Sequence, residues 1–149
     1  MKKSILVIIL LVVLSCMGCS KEGGYGSEEA IERGDVVYRN GVANYVKFEQ
    51  FLLSLSTSKE STIRVTGYTH EGDPIFQDLH FDGEVIHYTH DNSNDEYAGK
   101  EKATKKDACK EIIEKENTQG GIEYIEYIVS GCSNNLEYFL FSIEKNQLN

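Results

Sequence analysis

Two cysteines and two glycines constrain this chain more than any other feature. Gly120-Gly121 separates residues 108–118, which carry Ile112 and Ile113, from residues 122–132, which are rich in Ile and Tyr. Glycine supplies the positive φ that a two-residue hairpin turn requires. A turn there pairs residues whose numbers sum to 241, and Cys109 and Cys132 meet that sum. Directly opposed strand residues have Cα atoms about 4.5–5.5 Å apart, a span that a disulfide bridges. The hairpin register and a Cys109–Cys132 disulfide thus predict each other, with Ile112 facing Val129 and Ile113 facing Ile128. Closing a loop of this size stabilises by about 3 kcal/mol in the chain-entropy model. The alternative is two free thiols, which an oxidising compartment disfavours.

The compartment is read from MKKSILVIILLVVLSCMGCS. Lys2 and Lys3 form a positive n-region, and Ile5 to Leu14 is an unbroken apolar run. That run falls short of the ~20 apolar residues of a spanning helix and has the length of a secretory h-region. Ser15, Cys16, Met17, Gly18, Cys19 and Ser20 follow. The order resembles a bacterial lipoprotein signal, in which a small residue precedes a cysteine that is acylated and becomes the new N-terminus. Cys19 has Gly18 before it and the polar run Ser20-Lys21-Glu22-Gly23-Gly24 after it, but Cys16 stands where such motifs have Leu. Cys16, preceded by Val13 and Ser15, is the alternative lipid site. An ordinary cleaved signal and an uncleaved anchor are the other readings. The expectation is a signal peptide with lipobox over 1–19 and a domain anchored by lipid to the cell membrane, on its extracytoplasmic side.

About 130 residues follow that signal, enough for one domain. The formal charge is −9, and removing Lys2 and Lys3 leaves 13 basic against 24 acidic residues, a balance of −11. Such a chain is not expected to bind nucleic acid, whose phosphates need a basic face. Nor does it suit a domain lying flat on anionic lipid. The charge also serves solubility alone. Nine Tyr, six Phe, one Pro and no Trp fit a sheet.

Residues 20–34 are expected to hold a Gly-rich tether and a short helix over Ser27–Arg33, with Gly34 as its C-cap. Residues 35–149 are expected to form a single α+β domain. A first strand covers Asp35–Arg39, and Asn40-Gly41 turns the chain. Asn44 reads as an N-cap. Phe48, Phe51, Leu52 and Leu55 then make one apolar stripe on a helix from about Tyr45 to Thr57. Strands follow at Thr62–Thr69, Ile75–Phe81 and Glu84–His90. Asp82-Gly83 as a type I′ turn pairs Leu79 with Ile86. A three-residue loop Glu71-Gly72-Asp73 pairs Val65 with Leu79, its odd length chosen so that the apolar residues share a face. Asp91 to Ala108 has no apolar period and reads as a long loop with room for a helical turn. Leu136–Glu144 is the last strand, apolar on both faces and therefore expected to be central or sandwiched. The sum is one main amphipathic helix packed on a mostly antiparallel sheet of about six strands.

Few constellations carry chemistry. In this register Asp78 sits across from His87 with His80 diagonal to both, a set that could hold Zn²⁺ or work as acid and base. The alternative is a solvated polar face. Asp91-Asn92-Ser93-Asn94-Asp95 spaces oxygen ligands as a Ca²⁺ loop begins, but Glu96 and Lys102 stand where such a loop has Gly and Glu. An Asx-rich turn is the simpler reading. Glu71-Gly72-Asp73-Pro74 is most simply a turn as well, leaving Glu71, Asp73, Asp91 and Asp95 as the candidate binding residues. Tyr124, Tyr127, Tyr138 and Phe139 are either an aromatic contact surface or core. No nucleophile elbow, P-loop or dinucleotide fingerprint occurs. No cofactor and no catalytic residue is expected.

Asp35-Val36-Val37, Tyr68-Thr69-His70-Glu71-Gly72-Asp73-Pro74-Ile75, Asp82-Gly83, Asp91-Asn92-Ser93-Asn94-Asp95 and the Cys109/Cys132 pair together carry a resemblance. Over roughly Asp35 to Ile143 the chain resembles the small lipoproteins of Bacillus and relatives known as domain of unknown function 4362. His70 departs from the apolar residue expected there. The resemblance implies a Gram-positive cell-surface lipoprotein and carries over no activity. The expected function is a membrane-anchored binding module for an extracytoplasmic protein, peptide or wall component. The alternatives are a metal-dependent enzyme or sensor on the His/Asp face, and an immunity or inhibitor protein.

Overall fold

The computed structural model describes residues 24–39 and 41–148. Cys16, Cys19, the expected signal 1–19, the first part of the tether and Asn40 of the expected turn lie outside the described residues. The chain order is α1 (Ser27–Arg33), β1 (Val36–Tyr38), β2 (Val42–Ala43), α2 (Tyr45–Ser56), β3 (Ser61–Tyr68), β4 (Pro74–Phe81), β5 (Ile86–Asp91), β6 (Thr104–Cys109), β7 (Glu111–Gln119), β8 (Ile122–Ser130) and β9 (Tyr138–Glu144). Six strands form one sheet in the order β2-β1-β3-β4-β5-β6, and β7-β8-β9 form a second. Every pairing is antiparallel except β1 with β3.

Helix α1 ends as its sequence demands: Gly34 takes φ 94°, and its N–H reaches the carbonyls of Ala30 and Ile31. Asn44 does not cap α2. It sits at φ 58°, and its Nδ2 donates to the carbonyls of Ile31 and Asp35, tying the end of α1 to the start of β1. Helix α2 buries Phe48 and Phe51 against Ile63 and Val65 of β3. Burying each ring contributes up to about 3 kcal/mol.

Both hairpin loops are longer than expected by two residues. β3 pairs Ile63 with Leu79, and Thr69–Asp73 form a five-residue loop closed by Thr69 N–H to Asp73 O and Gly72 N–H to Thr69 O. β4 pairs Phe81 with Ile86 and Leu79 with Tyr88. Asp82-Gly83 is therefore not a two-residue type I′ turn. Asp82 Oδ1 accepts the amides of Glu84 (2.9 Å) and Val85 (2.8 Å), and this side-chain scaffold holds a four-residue loop. Both corrections are even, so each apolar residue keeps its face.

The stretch expected as a long loop from Asp91 to Ala108 instead contains β6, an edge strand pairing Asp91 with Thr104 and Ile86 with Cys109. The expected strand over 108–118 is likewise two strands in two sheets, divided at Lys110. The β7–β8 ladder has the predicted register, Ile112 opposite Val129 and Ile113 opposite Ile128. Cys109 and Cys132 form a disulfide with Cα atoms 3.8 Å apart, just beyond that ladder where the chain crosses between sheets. Gly131 takes a left-handed φ of 65° at the crossing, which favours glycine, and a Cβ there would stand 3.1 Å from Lys110 Cβ.

Strand β9 lies at an edge, not in the centre. Its apolar residues on both sides have a local cause. Ile128 pairs with Phe139 and Tyr127 with Phe141, so Leu140 is an extra residue. The bulge lets neighbours Leu140 and Phe141 both be buried while Phe139 stays 49% exposed.

One core joins the two sheets. The six-stranded sheet presents Val65, Leu79, Ile86 and Tyr88 to α2 and to Tyr127, Val129, Leu140 and Phe141 of the second sheet. Phe48 meets Tyr127 and Phe141 edge-on at 4.7 and 4.8 Å. Gln77, 3% exposed, bridges the sheets: its Nε2 donates to Leu140 O (3.1 Å) and its Oε1 accepts from Tyr88 OH (2.7 Å).

Candidate functional site

Two regions of the six-stranded sheet present side chains or open space to solvent: the polar face turned away from the core, and the edge of β3.

On the polar face the actual register rearranges the expected trio. Asp78 stands opposite Thr89, and His80 stands opposite His87. Asp78 is engaged by Arg64 through a two-pronged pair, Nε to Oδ1 at 2.6 Å and Nη2 to Oδ2 at 2.9 Å. The Arg64 guanidinium also lies over the Phe76 ring at 4.7 Å. The two imidazoles are 5.8 Å apart, and each has its own carboxylate: His80 with Glu60 at 3.3 Å, His87 with Asp82 at 2.8 Å. The amides of Val85 and Glu84, and then His87, hold the Asp82 carboxyl well below the usual carboxylate range. The structure therefore brings the two histidines together and gives Asp78 to an arginine. Among the described residues, one group of three metal-ligand side chains converges within 4.8 Å: Asp107, Cys109 and Cys132. Both sulfurs there are spent in the disulfide.

The acidic loop residues Asp73, Asp91 and Asp95 support the backbone. Asp73 Oδ2 accepts the Glu96 amide (3.0 Å), Asp91 Oδ1 that of Ser93 (2.8 Å) and Asp95 Oδ1 that of Tyr97 (2.9 Å). The β3–β4 loop and the loop after β5 are thus neighbours, stitched by Asp73. The Ser93 side chain and amide lower the Asp91 carboxyl. Glu71 is exposed. Of the aromatic candidates, Tyr127 is buried with its hydroxyl 2.6 Å from that of Tyr45, and Tyr138 stacks on Tyr88 at 4.5 Å. Phe139 is exposed.

The second region was not read from the sequence. β1 pairs with only Val65 and Thr66 of β3. Beside the unpaired length of β3 runs an open groove of about 710 Å³, walled by α2 on one side and by Arg33-Gly34-Asp35 on the other. Phe51 and Ile63 lie deep in it, and Leu53, 63% exposed, stands on its wall. Leu53 was the available signal: it is an apolar residue of α2 outside the stripe of Phe48, Phe51, Leu52 and Leu55.

A family model described as Domain of unknown function (DUF4362) matches residues 33–124, a span that holds the whole six-stranded sheet and α2. Neither the curated proteins nor the solved structures give a match.

Proposed function

The chain belongs to the DUF4362 family, and from that premise we propose that it is a lipid-anchored, extracytoplasmic binding module that engages a protein, peptide or wall component through the groove between α2 and β3. The groove carries this reading: an open channel on a disulfide-tied domain, with Phe51 and Ile63 deep in it and Leu53 exposed on its wall. The charge, apolar run and cysteine order of residues 1–19 support the anchor. A disulfide agrees with an oxidising compartment.

Two experiments on the full-length chain in its host test it. Labelled palmitate is incorporated into the parent and lost in Cys19→Ser. A photo-crosslinking residue at Leu53 captures a discrete foreign partner, whereas the same residue at Glu111 on the second sheet does not. Adducts formed equally at both positions, or only with copies of the chain itself, contradict the reading.

A further inference from the structure

We propose that the outer edge of β3 over Ser61–Arg64 takes up an extended peptide of alternating apolar and acidic residues as an added strand. This rests on the groove being the binding site and names what it binds. On one side Ser61, Thr62, Ile63 and Arg64 pair with Phe81, His80, Leu79 and Asp78. On the other side β1 begins only opposite Val65, and the chain before it has turned away into α1. Alternate strand residues send both N–H and C=O to the same edge. Half of the backbone groups of Ser61–Arg64 therefore face the groove without a strand partner.

Proteins blunt such edges with lysines, bulges or cover. β6 does so: Lys105 and Lys106 are exposed along it. The Ser61–Arg64 edge has none of these devices and forms part of the groove lining. A peptide added there would direct one set of side chains toward Phe51 and Leu53 of α2 and the other toward the face that carries Arg64.

The unpaired cations of the lining favour carboxylates among the peptide side chains. The chain as a whole is −9, yet the groove collects Arg33, Lys47, Lys59 and Arg64 against Asp35 and Glu60. Arg33 and Arg64 pair with Glu29 and Asp78, and Lys47 and Lys59 have no carboxylate partner among the described residues. Lys47 is held beside Gly34 at the C-terminal end of α1, where the helix dipole favours a cation. Carboxylates of the peptide meet Lys47 and Lys59, the two cations the lining leaves unpaired among the described residues, and the main chain supplies the remaining affinity.

The test is fluorescence anisotropy with the full-length chain in detergent micelles and a labelled octapeptide of alternating valine and glutamate. Saturable binding is expected, weakened about fivefold by Lys59→Glu on the exposed β3 approach. N-methylating alternate amides of the probe removes its donors without changing its charge and should weaken binding about tenfold or more. A valine–lysine octapeptide should bind at least as poorly. No saturation below about 1 mM, or equal binding of the methylated probe, overturns strand addition. If Leu53 still captures a partner in cells while every octapeptide fails, the groove is a binding site and the occupant named here is wrong.

Discussion

Gln77→Leu should cost far more than an apolar-for-polar swap in a core suggests. Gln77 is buried between the two sheets and satisfies Leu140 O and Tyr88 OH together. Leucine fits the volume but leaves a carbonyl and a hydroxyl buried without partners, at about 1–3 kcal/mol each. The added apolar burial returns about 1–2 kcal/mol. At the middle of these ranges the net loss is about 2–3 kcal/mol, a large part of the 5–15 kcal/mol typical of a domain. Tyr88→Phe alone leaves only Gln77 Oε1 unpaired and should cost about 1–2 kcal/mol. In the Gln77→Leu background, Tyr88→Phe removes a hydroxyl already orphaned and should be neutral or stabilising. Urea unfolding of the four proteins gives the coupling, expected to be about 1 kcal/mol or more. A single-variant loss under about 0.5 kcal/mol, or additive effects, refutes the bridge between the sheets.

Removing the disulfide by Cys109→Ala with Cys132→Ala should lower stability by about 3 kcal/mol in denaturant unfolding, from the loop the bond closes. Gly67→Ala should cost about 1–3 kcal/mol, since the new Cβ falls 2.5 Å from Tyr38 Cζ and displaces a ring that stacks on Phe141. Asp82 titrates below its unfolded value, so its contribution to stability is present above the unfolded carboxyl pKa and is lost as pH falls through the folded one. Asp82→Asn should flatten that acid limb in a series of unfolding curves, and an unchanged limb contradicts the assignment.

What the sequence revealed follows from what its period can encode. Alternation fixed which residues of β3, β4 and β5 face the core, because a one-residue slip would expose Leu79, Phe81 and Ile86. A slip of two changes no face, so the loop lengths were invisible, and they depend on Asp82 and Thr69 bonding the local backbone. β6 was missed because an edge strand carrying Lys105 and Lys106 has no apolar alternation to detect. β9 misled because a bulge buries two neighbours, Leu140 and Phe141. The Cys109/Cys132 register was legible because glycines and cysteines fixed one offset independently. The groove was not: it exists because β1 stops short of the start of β3, a tertiary outcome that no local pattern records.

Backbone amide exchange on the full-length chain tests the central claim most directly. The open-edge account predicts that alternate amides within Ser61–Arg64 exchange orders of magnitude faster than those of Val65 to Gly67 and of Leu79 to Phe81, and that the valine–glutamate octapeptide slows them. Uniformly slow exchange across Ser61–Arg64 without any peptide would mean that the edge is already satisfied, and the binding account would fail.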